Sequence, residues 1–275
     1  DDFYRGELSR SIAADLNRVG SPLGLEDLER FNAMRVDPIS LIVAGHRVYN
    51  IPPPTQGLAS LILLGTNSRL GEVEAETFQF IHNIVESTKL AFKVRDTHVS
   101  DPKYMSVDPM AFLESRALDE MAGRIQESSA MPWPDSSNFG DTVWLGAIDQ
   151  NGRAVSFIQS IYWEFGSGVV LEETGITWQN RGISFSLDKM HHNSLMPYRK
   201  PFHTIQPALA VLSDGRTMVY GTMGGEGQPQ TQATIFCRHI IHGQALQEAI
   251  TAPRWLLGRT WGSETTNLRI ESGFA

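Results

Sequence analysis

The residues that most often carry catalysis are few in this chain, and their usual arrangements can be tested one at a time. Among the eight histidines, His191-His192 is the adjacent pair; neighbours in sequence are expected to point apart, and neither His-x-x-x-His nor HExxH occurs. The spacing that gathers imidazoles around a metal is therefore missing, and no metal is expected. No G-x-S-x-G elbow is present to seat a serine nucleophile. The stretch Gly221-Thr222-Met223-Gly224-Gly225-Glu226-Gly227 has neither the lysine of a phosphate-binding P-loop nor dinucleotide spacing. A single cysteine, Cys237, lies in the apolar run Ala233-Thr234-Ile235-Phe236-Cys237; it can form no intrachain disulfide and reads as a core residue. Two features remain: Gly140-Asp141-Thr142 at the head of a predicted hairpin, and Gly224-Gly225 just after a predicted strand. Taken singly they are a strand threonine and a turn.

The elements that must position these residues follow from pattern. The chain has 275 residues, 41% of them hydrophobic and 20% charged, with 23 Lys+Arg against 31 Asp+Glu and a net charge of −8. That composition suits a globular protein with a sizeable core. It leaves no basic face for nucleic acid. The longest apolar run, Gly57 to Gly65, is a buried-helix signal well short of the roughly 18 residues that span a bilayer. Helical spacing appears at Leu8, Ile12, Ala13, Leu16 and Val19, then from about Glu72 to Val94 and from about Pro109 to Ile125. Strands are predicted at Ile39–Val43 and Val48–Ile51, ahead of Pro52-Pro53-Pro54-Thr55-Gln56-Gly57, where the prolines forbid helix interior and Thr55 reads as an N-cap. A turn-rich connector from Gln126 to Gly140 marks the best boundary. Beyond it come a hairpin, Thr142–Ile148 and Ala154–Ile161 around Asn151-Gly152, then strands at Pro207–Leu212 and Thr217–Tyr220, and helices at Gln230–His242 and Gln244–Ile250. This order predicts an α+β fold of stacked layers.

The run Thr142-Val143-Trp144-Leu145-Gly146-Ala147-Ile148-Asp149, followed by Gly152-Arg153-Ala154-Val155-Ser156, resembles the start of the small subunit of the γ-glutamyltranspeptidase family of N-terminal-nucleophile hydrolases. The likeness extends along the chain through Phe3-Tyr4-Arg5-Gly6-Glu7, Pro52 to Gly57, Phe165-Gly166-Ser167-Gly168, Gly175-Ile176, Pro201 to Pro207, Gly224-Gly225 and Leu246 to Arg254. The resemblance implies an αββα sandwich and a precursor that cuts itself between Asp141 and Thr142. Residues 1–141 then match the later part of a large subunit and 142–275 a small subunit, both in one domain. It also implies a heterodimer, with pairing of heterodimers beyond it, and no cofactor. Thr142 becomes nucleophile, and its freed α-amine, with a pKa near 8, serves as base. Ser160 matches the hydroxyl that bonds to the nucleophile. Gly224 and Gly225 match the pair whose N–H groups form the oxyanion hole.

Departures from the family pattern narrow the substrate. Typical γ-glutamyl enzymes hold the substrate's α-carboxylate and α-ammonium with an Asn, a Gln or Glu, and an Asp; the matching positions here are Tyr162, Arg181 and Ser184. Two serines that help bind the carboxylate become His203 and Thr204. An ammonium group would meet Arg181 and be repelled, whereas a carboxylate would find a planar fork. Gly140-Asp141-Thr142-Val143-Trp144, Gln159 to Tyr162 and Gln179 to Gly182 resemble the oxamate amidohydrolase branch. There the reaction is oxamate plus water to oxalate and ammonia, late in purine-derived ureide breakdown, and the compartment is cytoplasmic. The expected partner is a small acidic amide, with neither nucleic acid nor membrane. The alternatives are a γ-glutamyltransferase or glutathione hydrolase, a cephalosporin or glutaryl acylase, and a catalytically dead binding protein.

Overall fold

The computed structural model describes residues 1–133, 141–258 and 267–274. Helices α1 (Asp2–Arg5), α2 (Glu7–Arg18) and α3 (Leu25–Arg30) open the chain. They close a small cluster in which Ile12, Leu16 and Leu28 meet Leu171. Then follow β1 (Ile39–Val43), β2 (His46–Asn50), α4 (Gly57–Asn67), α5 (Phe78–His98) and α6 (Ser115–Ala122). The remainder comprises β3 (Asp141–Ile148), β4 (Ala154–Tyr162), β5 (Ala208–Val211), β6 (Thr217–Tyr220), α7 (Gly227–Phe236), α8 (Leu246–Thr251), β7 (Trp255–Leu257) and β8 (Leu268–Ile270). The architecture is mixed α/β. No helix among the described residues is long and apolar enough to cross a membrane.

The main sheet has the order β1-β2-β5-β6, antiparallel throughout. Its buried side chains, among them Ile39, Val48, Ala208 and Ala210, share one core with α4, which α5 and α7 cover in turn. Helix α4 is buried from Gly57 to Thr66, as its apolar run predicts. The lone thiol of Cys237 is buried in the same core, and burial pushes its pKa up to about 12. It is a packing residue.

The β3–β4 hairpin is joined by the Asp149–Gly152 turn, whose Gly152 N–H donates to Asp149 O at 3.0 Å. One face meets β6, with Gly146 against Val219 and the Trp144 ring against Gly221. The opposite face exposes Val143, Leu145, Val155 and Phe157. The pairing slips at the nucleophile position: Asp141 faces Tyr162 but Val143 faces Gln159. Thr142 thus lies opposite a β-bulge of β4, where Ser160 and Ile161 occupy the place of one partner, an irregularity that bends the bulged strand.

Several boundaries differ from the sequence expectation. The helix predicted from Glu72 begins at Phe78, because Thr77 caps it by accepting from the Phe80 N–H at 3.2 Å; Val73 reaches the core from the preceding loop. The Pro109–Ile125 helix divides into a 3₁₀ turn, Pro109–Leu113, and α6. Helix α7 starts at Gly227, and its continuation, Cys237–Ile241, widens to a π-helical turn. The N-cap of α4 is Gln56 and not Thr55, one residue later than expected, although Thr55 Oγ1 accepts from Gly57 N at 3.2 Å. The His191 and His192 rings do not point apart: they lie 4.2 Å from each other, because a turn and not a strand carries them. Of the predicted connector, residues 134–140 lie outside the described part.

Gly57 begins α4 where the chain doubles back on β2, and a Cβ there would run into the Ile51 carbonyl oxygen and the Asn50 carboxamide. Gly57→Ala is expected to destabilise the protein by about 1–3 kcal/mol, the usual cost of overpacking, read as a lower melting temperature. An unchanged melting temperature would contradict so close an approach.

Candidate active site

Across this bulge the Thr142 side chain meets β4. Its hydroxyl donates to Ser160 Oγ at 3.1 Å, and the same oxygen accepts the Tyr162 N–H at 2.9 Å. Ser160 therefore ties the predicted nucleophile to the end of its partner strand. That end is unusual: Tyr162 is non-glycine yet has φ of +81°, a left-handed conformation that is strained for a bulky residue. The next residue, Trp163, donates its N–H to Asn180 Oδ1 at 3.2 Å, and Asn180 N donates to Ile161 O at 3.2 Å. The 3₁₀ turn Arg181–Ser184 is thereby fastened beside β4.

The left-handed turn places the Tyr162 ring, which is almost wholly buried, beneath Arg181, with the guanidinium carbon 3.8 Å from the ring centroid. Arg181 is itself only 7% exposed. Both terminal nitrogens reach Thr204 Oγ1 only at 3.5 Å, Nε has no hydrogen-bond partner among the described residues, and no ion pair to Arg181 occurs among them. Burial lowers its pKa to about 10, with Tyr162 acting the other way. At neutral pH it is still a cation. Burial raises the Tyr162 phenol to about 12, against a smaller opposing pull from Arg181, so the phenol is neutral. His203 is driven down to about 3 by burial and then by Arg181, and it too is neutral. Its Nδ1 accepts the Ile205 N–H at 3.2 Å. Ser184 lies at the end of the Arg181 turn, its carbonyl accepting from Asn193 Nδ2 at 2.7 Å.

His203 and Thr204 come from the segment before β5, which runs beside the proline loop. His203 N donates to Pro54 O at 2.9 Å and Gln56 N to His203 O at 3.0 Å. Across this seam the Gln56 carboxamide donates to the Thr204 carbonyl and, at 2.7 Å, to the Gly225 carbonyl. Gly224 and Gly225 have φ of +102° and +52°, values that favour glycine over residues bearing a Cβ. The Gly224 carbonyl accepts from Gly227 N at 2.8 Å, where α7 begins. Arg95 of α5 lies behind the loop, giving Nη1 to Gln56 Oε1 at 3.2 Å and Nη2 to Glu226 Oε1 at 3.1 Å. Burial opposes its charge, but Asp96 and Glu226 outweigh that effect and hold its pKa above the ordinary value.

One unbroken path of contacts thus joins Thr142, Ser160, Tyr162, Arg181, Thr204, Gln56 and Gly225. The backbone of Asp141 enters it by pairing with Tyr162. The residues predicted from sequence come together, Ser184 through its side chain beside the Tyr162 phenol. Gln56, Arg95 and Glu226 were not among them. A glutamine directly after three prolines and a threonine, at the head of a mostly apolar helix, is the signal that could have drawn attention to the first. Chemically the arrangement offers a hydroxyl with a hydrogen-bond partner, a glycine pair shaped for close approach, and a buried cation open to an anion.

Known proteins resemble this chain along its whole length. The chain is 52% identical over all 275 residues to the oxamate amidohydrolase proenzyme of Klebsiella pneumoniae, of which it covers 52%. It is 39% identical over 274 residues to the glutathione hydrolase-like YwrD proenzyme of Bacillus subtilis, covering 99% of this chain and 52% of that protein. The cephalosporin acylase of Bacillus halodurans superposes over 100% of this chain and 49% of its own, with a TM-score of 0.90 and 37% identity. The chain spans about half the length of the curated relatives it matches. The gamma-glutamyltranspeptidase family model matches residues 1–275, and the chain belongs to that family.

Proposed function

We propose that the protein is an N-terminal-threonine amidohydrolase that cuts itself between Asp141 and Thr142 and hydrolyses a small acidic amide, oxamate being the best candidate. Residues 1–141 would belong to the large subunit and 142–275 to the small one, paired in an αββα sandwich. The exposed apolar face of β3–β4, with Val143 and Phe157, is the face that a further layer would cover. The observation that carries the substrate class is Arg181, a buried cation with no ion pair among the described residues. An unpaired buried charge is costly, and a ligand carboxylate would answer it through the planar guanidinium. Neutral His203 and Tyr162 add no competing anion, and no carboxylate among the described residues contacts Arg181 to receive an α-ammonium group. The 52% identity to an oxamate amidohydrolase proenzyme supports the same reading.

In this mechanism the Thr142 hydroxyl attacks the amide carbonyl and its proton passes to the α-amine. The Gly224 and Gly225 N–H groups hold the oxyanion. Collapse breaks the C–N bond, the amine returns the proton to the departing ammonia, and water hydrolyses the acyl ester, leaving oxalate and the free threonine. Ser160 keeps the hydroxyl aimed.

The deciding experiment offers the full-length precursor oxamate and glutathione in parallel and measures ammonia and glutamate. Oxamate turnover with glutathione inert is expected; the reverse result would replace the substrate and keep the nucleophile. Thr142→Ala should leave the precursor uncut by intact mass and inactive, and a cleaved, active alanine variant would remove Thr142 from the mechanism. Arg181→Ala is expected to raise KM for oxamate by about 10- to 100-fold, the worth of hydrogen bonds to a charged group; an unchanged KM would place the carboxylate elsewhere.

The charge states set a pH signature. Arg181 gives up its proton only near pH 10 and His203 takes one only near pH 3, so neither changes charge over most of the working range. KM should therefore stay flat from about pH 5.5 to 8.5, while kcat rises as the α-amine loses its proton near pH 8. A KM that falls on acidification through about pH 6.5 would show that an imidazolium binds the anion.

A further inference from the structure

The Gln56 carboxamide is wholly buried and every arm of it is engaged. An arginine can only donate, so Arg95 Nη1 at 3.2 Å must face the carboxamide oxygen. That choice turns the amide nitrogen toward the carbonyls of Thr204 and Gly225. Arg95 is itself held in place, with Asp96 at 2.7 Å, Glu226 at 3.1 Å and its guanidinium carbon 3.9 Å from the centre of the Phe92 ring.

We infer that Gln56 is a positioning residue for the oxyanion-binding glycines, an inference that rests on the role proposed above for Gly224 and Gly225. Two successive glycines have a wide choice of backbone conformations, so the bonds to their carbonyls have to select one. In a trans peptide the N–H points opposite to the carbonyl. The bond from Gly227 N to the Gly224 carbonyl, 2.8 Å, therefore sets where the Gly225 N–H points, away from α7. The Gly225 carbonyl accepts from Gln228 N at 3.3 Å and from Gln56 at 2.7 Å, the shorter of the two bonds that fix the following peptide. With both neighbouring planes held, the Gly225 N–H cannot swing. The Thr204 side of the carboxamide is less dependent on it, since that segment is also tied by His203 N to Pro54 O at 2.9 Å and by Gln232 Nε2 to Gln206 O at 3.1 Å. Loss of the carboxamide should then disturb the oxyanion side and spare the acid-binding side.

The test uses the full-length precursor carrying Gln56→Met, which keeps the volume and removes both donors, and Gln56→Glu, which keeps the acceptor for Arg95 and turns a carboxylate oxygen toward the two carbonyls. Both variants should still be cut before Thr142. Expected are a fall in kcat of about 100-fold, the scale of a misplaced oxyanion donor, a KM within about threefold of wild type, and unaltered inhibition by oxalate. Wild-type kcat in a cleaved Gln56→Met variant would overturn the inference. So would a parallel loss of kcat, oxalate affinity and melting temperature in both variants, which would make Gln56 a general support only. Gly225→Ala separates this from the underlying role: unchanged kcat there would remove the glycines from the oxyanion site, whereas a large fall there beside unchanged kcat in Gln56→Met would count against Gln56 alone. If glutathione rather than oxamate proves to be the substrate, the same comparison is read on glutathione.

Discussion

A guanidinium sealed from water dictates much of this molecule. Arg95 lies at the inner end of α5, only 3% exposed, and a charge there must be matched by hydrogen bonds and opposite charge. The matching groups come from Asp96 beside it, Glu226 ahead of α7 and Gln56 ahead of α4, with the face of Phe92 completing the shell. Removing one partner of such a buried group typically costs about 3–5 kcal/mol. The segments that carry them are consequently fixed relative to one another, and they are the segments that border the glycine loop and the His203–Thr204 seam.

The opposite side of the site is governed by the contrary condition. Arg181 is nearly as buried as Arg95, yet it lies against an aromatic face and a distant hydroxyl with no carboxylate among the described residues. One arginine is satisfied by the protein and serves as a girder; the other is left for something else to satisfy. Tyr162 makes the second arrangement possible only by adopting a left-handed backbone, a conformation that costs on the order of 1–3 kcal/mol and has to be held by surrounding structure. The hydrogen bonds from Tyr162 N to Ser160 and from Trp163 N to Asn180 supply that hold.

The sequence made the hairpin legible because Asn151-Gly152 announces its turn and the flanking runs suit strands; the buried helix was legible because Gly57 to Gly65 holds no charged residue and only one hydroxyl, Ser60. Thr142, Ser160, Arg181 and the glycine pair were found through motif resemblance, since each alone is an ordinary residue. What stayed hidden depends on partners remote in sequence: Gln56 meets Gly225, and Arg95 meets Glu226, only after the sheet and helices have assembled. The bulge opposite Thr142 was equally invisible, being a property of pairing and not of composition. Strands β7 and β8, three residues each, are too short for alternation to register. Helix ends moved where a single side chain, as at Thr77, caps the backbone inside the periodic stretch.

Strand β2 lies before the 141–142 peptide bond and β5 after it, yet they are direct neighbours, with Arg47, Val48 and Tyr49 opposite Val211, Ala210 and Leu209. A polypeptide opened at that bond would remain woven into one sheet over one core, its pieces held by the same backbone ladder as before. Heating would then release two separate strings of residues where a continuous chain releases one. Their return would need an encounter as well as folding, so durability would be governed by how slowly the sheet comes apart and not by where an equilibrium rests.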